Sequence, residues 1–189
     1  MVHSLIVSAP SGTGKTTILG KMFEKYPQKF SFSVSATTRA PREGEVDGKN
    51  YYFLTEEEFN KRLANDEFLE YEHVYEGLSY GTLKSEVSRI ASEGKIAVFD
   101  VDVKGGVNIK QKLGDAALAV FIMPPSIETL KERLEKRGTE TPESLAKRIN
   151  RAEMEISYKD KFDHIVINDN LDKAIEDFEY VLKKYMELK

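Results

Sequence analysis

The stretch Ala9-Pro10-Ser11-Gly12-Thr13-Gly14-Lys15-Thr16 constrains what this chain can fold into more than any other. The apolar, β-branched run Leu5-Ile6-Val7 precedes it, and Ile18-Leu19 and Met22-Phe23 follow at helical spacing, so its context is strand, loop, helix. Two glycines there let backbone N–H groups turn inward as a nest for phosphate oxygens, over the positive end of the following helix. The expected cradle is Ser11, Gly12, Thr13, Gly14, Lys15, Thr16 and Thr17, with Lys15 reaching the β and γ phosphates and the Thr16 hydroxyl placed to hold Mg²⁺. The pattern G-x-x-x-x-G-K-[ST] asks for glycine where this chain has Ala9. A methyl group is tolerable there if φ is negative and Cβ points away from the nucleotide.

A length of 189 residues suits one domain with a sizeable core and small appended parts. Acidic residues outnumber basic ones, 32 to 28, which argues against general electrostatic binding to nucleic acid or an anionic membrane. Cysteine is absent, so disulfides and thiolate metal sites are excluded. Met1 to Ala9 is too short and lacks the basic start of a secretory signal, and no run approaches the roughly 18 apolar residues of a membrane span. The expected location is the cytoplasm.

Along the chain, Phe30 to Ala36 suggests one short strand, followed by a polar stretch from Thr37 to Asn50 too rich in turn formers to be core. Tyr51 to Leu54 is strand-like. Thr55 and Glu58 make a capping box for a helix through about Ala64, and Phe68 to Val74 is another strand. Residues 36–82 thus read as a strand-rich insertion in an alternating β and α chain. Helix is expected from about Leu83 to Ser92, then a central parallel strand from Ile96 ending in Asp100 and Asp102. A helix at Val107 to Leu113 and a strand at Leu118 to Met123 follow. Ser126 caps a helix to about Arg137, Thr141 and Pro142 start the next, and Phe162 to Ile167 is the last strand. The final helix places Leu171, Ile175, Phe178, Val181, Leu182 and Tyr185 on one face.

The run from Ser33 to Tyr51, with Thr37-Thr38-Arg39-Ala40-Pro41-Arg42 and Gly44-Glu45-Val46-Asp47-Gly48, resembles the acceptor segment of the guanylate kinase family. The likeness continues through Phe68-Leu69-Glu70-Tyr71, Ser79-Tyr80-Gly81-Thr82, Phe99-Asp100-Val101-Asp102, Arg137-Gly138-Thr139-Glu140-Thr141 and Ile165-Val166-Ile167-Asn168-Asp169, nearly the whole chain. Between Glu70 and Tyr80 the segment is one residue longer than usual for that family. The resemblance implies an α/β fold: a P-loop NTPase-type core with a mainly parallel sheet flanked by helices, a strand-rich acceptor-binding insertion and a small helical lid. The core would span 1–35 and 83–189, the lid about 126–158, and the GMP-binding insertion 36–82.

It further implies transfer of a phosphoryl group from ATP to GMP, with Mg²⁺ and no nucleic-acid or membrane partner. Such an acceptor is already anionic near neutral pH, so no strong base is needed, and His3, His73 and His164 lie apart from the motifs. Arg39, Arg42, Tyr51 and Tyr80 resemble the family's clamp on the acceptor phosphate, which guanidinium forks suit. Glu70, Asp102, Ser35 and Thr82 resemble its guanine pocket: a carboxylate can accept from the N1–H and N2–H₂ donors of guanine, and adenine cannot offer that pattern. Arg133 and Arg137 share one helix face and Arg148 and Arg151 another. By resemblance these belong to the lid, with Arg137 and Arg148 acting on the transferring phosphoryl and Arg133 and Asn168 contacting ATP. Asp100 would reach the Mg²⁺ sphere through water beside Thr16. Two rivals remain at this point, a ribose bisphosphate kinase and a catalytically inactive interaction module of the same fold; protein partners are not indicated.

Overall fold

The computed structural model describes residues 2–136 and 141–186. Five strands form a wholly parallel sheet: β1 (Ser4–Ser8), β2 (Phe30–Phe32), β7 (Ile96–Asp100), β8 (Ala117–Met123) and β9 (His164–Ile167), in the order β2-β7-β1-β8-β9. Between them in sequence lie α1 (Lys15–Lys25), α3 (Lys84–Ser92), α4 (Val103–Leu113), α5 (Ile127–Lys136), α6 (Pro142–Ile156) and α7 (Leu171–Met186). A second sheet, ordered β4-β3-β6-β5, is built from β3 (Ser35–Thr37), β4 (Tyr52–Phe53), β5 (Phe68–Tyr75) and β6 (Leu78–Leu83), with α2 (Glu56–Ala64) against it.

The parallel sheet is buried on both faces, as its near-continuous apolar strands require. Leu5 and Val7 face one way and pack with Ile18, Leu19 and Met22 of α1 and Phe178 and Leu182 of α7. Ile6 faces the other way, among Phe99, Ile90 of α3, Ile109 of α4 and Phe121. Phe178 and Phe121 are fully buried, each contributing about 1.5–3 kcal/mol of transfer free energy. The chain leaves β1 toward β2 on one side and crosses to β8 on the other, so the loop after β1 opens at the switch point, where ligands bind in such sheets.

Several expectations need correction. The central strand is β1; β7 is interior but second in order, and it closes at Asp100 rather than Asp102, whose side chain instead caps a longer α4. The single strand expected at Phe30 to Ala36 is two, because Phe30–Phe32 pairs with β7 whereas Ser35–Thr37 pairs with β6 and β4. Strand β6 was not expected at all. On α7 the buried stripe is Ala174, Phe178, Val181, Leu182 and Met186, while Leu171 and Tyr185 lie toward solvent at the helix ends. The expected capping box of Thr55 with Glu58 forms, and Thr141 is the N-cap of α6 as expected, with Ser144 completing a second box that the sequence reading did not include.

The two sheets meet at Glu86 of α3, which is 2% exposed. It accepts from Val34 N–H (2.9 Å) in the link between β2 and β3, from Tyr52 O–H (2.8 Å) in β4 and from Arg89 (2.8 and 2.9 Å). Burial pushes its carboxyl up, yet these hydrogen bonds outweigh that and hold it below the usual carboxylate range.

Candidate active site

The loop from Ala9 to Lys15 is already shaped for an anion. Gly14, the N-cap of α1, has φ 92° and Gly12 has φ 94°, the left-handed region that side chains avoid. A Cβ on Gly14 would stand 2.5 Å from Asn168 Nδ2, and one on Gly12 would stand 2.9 Å from Leu134 of α5. Thr13 is buried, its hydroxyl donating to Pro10 O at 2.8 Å. The Ala9 methyl packs into the core with Val7 and Ile18, and its φ is not positive, so alanine fits where glycine is usual. Ser11 is exposed on the loop, and Thr16 and Thr17 are exposed on the first turn of α1. Lys15 forms an ion pair with Asp100 at the end of β7, which brings together the two residues expected to face phosphate and cation.

Asn168, directly after β9, is 5% exposed and donates from Nδ2 to Thr13 O at 2.7 Å. Its amide therefore braces the loop from behind. The Arg133 guanidinium donates to the carbonyls of Asn168 (2.7 Å) and Asp169 (3.0 Å), which puts this expected ATP contact beside the same edge of the loop. Arg148 Nη1 donates to Ser11 Oγ at 3.2 Å, joining α6 to the loop. Arg137 lies outside the described residues.

The acceptor residues come together through strand register. Ser35 in β3 stands opposite Thr82 in β6, and Thr82 opposite Glu70 in β5, so the three form a row across the second sheet. Thr82 Oγ1 donates to Glu70 Oε1 at 2.9 Å. Burial pushes the Glu70 carboxyl up, opposed by that hydrogen bond and reinforced by the negative charge of Asp102. Asp102 Oδ1 accepts from Gly105 N–H at 2.8 Å as the N-cap of α4, which leaves Oδ2 toward the cavity. A cavity of about 580 Å³ lies between the sheets, lined among others by Ser35, Tyr51, Glu70, Tyr80, Asp100 and Asp102.

At the other end of this cavity the Tyr51 and Tyr80 rings meet edge to face at 6.1 Å. Arg39 lies over the Tyr51 ring at 5.4 Å and pairs with Glu45 at 2.8 Å. The same Glu45 accepts from Arg42 N–H at 2.7 Å, while the Arg42 side chain is exposed. In β5 and β6 a register shift between His73 and Tyr75 takes up the irregularity of the hairpin that precedes Tyr80. Sequence reasoning missed Glu72, which also lines the cavity; its placement two residues beyond Glu70 on one strand is the signal that was available.

A glycine-rich phosphate loop at the switch point of a parallel sheet, with a lysine and an acid meeting in front of it, is the architecture of P-loop nucleotide-binding proteins. Comparison with known proteins narrows the class. The guanylate kinase family model matches residues 1–185. A guanylate kinase of Porphyromonas gingivalis is 48% identical over 186 residues, covering 98% of this chain and 99% of its own. One from Clostridium perfringens is 49% identical, covering 94% of this chain and 81% of its own. The crystal structure of guanylate kinase from Anaplasma phagocytophilum superposes with a TM-score of 0.70 at 27% identity, covering 98% of this chain and 87% of that one. The chain belongs to the guanylate kinase family.

Proposed function

We infer that the protein moves the γ-phosphoryl of ATP to GMP, giving ADP and GDP. The observation that carries this reading is the Ser35–Thr82–Glu70 row beside the Arg39–Tyr51–Tyr80 cluster in one cavity, which offers a purine-reading end and a phosphate end to the same acceptor. Glu70 uses one oxygen on Thr82 and has acceptor capacity left for guanine N1–H and N2–H₂, with Asp102 Oδ2 as a second acceptor. Arg39, held over Tyr51, and Arg42 would take the acceptor phosphate, whose oxygen attacks the γ phosphorus as the bridging bond to ADP breaks. Near neutral pH the acceptor phosphate is already largely an anion, so the transfer needs no strong base, and the described residues that line the cavity include no histidine. Lys15, Arg137 and Arg148 are the proposed cations on the transferring group, and the loop from Ser11 to Thr17 the donor site.

Enzymes of this family use ATP, and the reaction generally needs Mg²⁺. Among the described residues no cluster of three His, Asp or Glu side chains could hold a metal by itself. That suits an ion that keeps several waters and is bound chiefly by phosphates with one or two protein oxygens. The Thr16 hydroxyl and Asp100 are the oxygens that would hold it, Asp100 through water; when bound it neutralises charge on the β and γ oxygens. The division into a core (1–35 and 83–189), an acceptor insertion (36–82) and a lid (about 126–158) is part of the same proposal, supported by the separate second sheet. Among the described residues no helix is long and apolar enough to cross a membrane. A cytoplasmic location, with its nucleotide pools, completes the reading. Neither rival finds support: the guanylate kinases it resembles are matched over nearly their full length.

ADP release measured with GMP, dGMP, AMP and ribose bisphosphate as acceptors tests the reading. GMP should be preferred to AMP by a large factor, and turnover of ribose bisphosphate in its place would overturn it.

A further inference from the structure

The reading above leaves Glu72 and Arg151 without a task, although both line the acceptor cavity. Glu72 stands opposite Tyr80 and on the face that Glu70 uses, since side chains alternate along β5. It therefore adds another carboxylate to a cavity already holding Glu70, Asp100 and Asp102. Across from it, Arg151 projects from α6. Arg151 Nε donates to Glu155 Oε1 at 2.8 Å, one turn further along the helix, and Glu155 is buried. That bond aims the planar guanidinium, and its Nη2 then comes within 3.8 Å of Asp102 Oδ2. Asp102 has its other oxygen committed to the N-terminus of α4.

We propose that Arg151 is a positioning residue for the acceptor base: aimed by Glu155, it offsets the repulsion between Asp102 and Glu72 and so holds Asp102 Oδ2 turned toward the guanine edge. Glu72 is the reason this chain needs that cation. Burial pushes the Glu72 carboxyl up, the negative charge of Asp102 and a hydrogen bond with it push the same way, and Lys104 and Arg151 act in the opposite sense. Removing Arg151 leaves two adjacent carboxylates without it, and Asp102 can relieve the repulsion by rotating away from the base. An ordinary ion pair on a helix face would end at Glu155 and would leave acceptor binding untouched. The inference rests on GMP as the acceptor.

The test is a double-mutant cycle on the full chain with R151M, R151K, E72Q and R151M/E72Q, reading KM for GMP at saturating ATP, KM for ATP at saturating GMP, kcat, and Tm by circular dichroism. R151M should raise KM for GMP about three- to tenfold, the range of a partly exposed pair with coupling to a neighbour, with a smaller change in KM for ATP. R151K should recover part of the loss. R151M/E72Q should return KM for GMP to within about twofold of the parent, because the repulsion is removed at its other end. If R151M does not fold, R151K with and without E72Q carries the same comparison. Equal losses for GMP and ATP, or no restoration by E72Q, would overturn the proposal. A parent protein that phosphorylates GMP while the cycle shows no coupling removes this inference alone, whereas a parent inactive on GMP removes the acceptor assignment beneath it.

Discussion

Glu45 holds the Arg39 guanidinium at 2.8 Å and, through its second oxygen, the Arg42 backbone N–H at 2.7 Å. The pair raises the Arg39 pKa above its ordinary value, chiefly through the hydrogen bond to Glu45, while the same bond lowers that of Glu45. One carboxylate thus sets the direction of one proposed clamp arginine and the backbone of the other. Glu45→Gln should raise KM for GMP by about tenfold, in line with a hydrogen bond to a charged group, and leave KM for ATP little changed. Equal KM values for GMP in the two proteins would show that Arg39 needs no such support.

Glu70 must be ionised to accept from guanine, and burial raises its pKa from the ordinary carboxylate value. The sign is that acidification protonates Glu70 sooner than an exposed carboxylate, so kcat/KM for GMP should fall as pH drops, beginning above the usual carboxylate range. Glu70→Gln, with an amide where guanine donors need an acceptor, should lower kcat/KM by roughly 10² and remove that acid limb. The pH profiles of the two proteins decide it; a limb that survives in Glu70→Gln belongs to another group.

Asn168→Ala should show whether the loop depends on its brace. The Thr13 carbonyl loses its 2.7 Å partner in a buried place, which costs about 1–3 kcal/mol of stability by thermal unfolding. KM for ATP should rise with it while KM for GMP changes less. A variant with parental Tm and ATP kinetics would mean that Gly12 and Gly14 alone hold the loop.

Far from the cavity, Glu179 of α7 accepts from Lys183 (2.8 Å), Lys25 (2.7 Å) and Tyr26 (2.5 Å), tying α7 to α1. Its pKa is lowered from 4.5 to about 2, first by Lys183, then by Lys25 and Tyr26. A lowered carboxylate stabilises the fold above its unfolded value, and that contribution is lost as pH falls from about 4.5 through about 2. Glu179→Gln should lower Tm at neutral pH by roughly 3–10 °C, and the gap between variant and parent should close on acidification through that window. A gap independent of pH would assign the effect to packing.

What the sequence made legible is what depends on neighbours along the chain. The phosphate loop carries its own glycines between a strand and a helix, and Thr55 and Thr141 cap helices within their own next turn. What it hid depends on partners far away. Leu78 to Leu83 has a glycine and only weak alternation, and it is a strand because β3 and β5 flank it. Ala174 contributes little to an apolar pattern yet is buried in the first turn of α7, so the expected stripe is right at Ile175, Phe178, Val181 and Leu182 and differs only at its ends. Asn168 was identified at the right edge of the sheet, but only the path of β9 shows that its amide faces Thr13. The i, i+2 spacing of Glu70 and Glu72 puts both on one face of β5, but that this face opens on the cavity depends on the pairing with β6.

Glu86 sets the kinds of motion open to the second sheet. One buried carboxylate grips the link that leaves β2, a tyrosine of β4 and the arginine one turn along α3. Sliding the sheet along the core, a shear movement, would pull Val34 and Tyr52 off the same two oxygens at once and strand a buried charge. A hinge movement that keeps Val34 and Tyr52 on that carboxylate carries no such cost, so Glu86 weighs against shear and leaves hinging as the cheaper way for the second sheet to move.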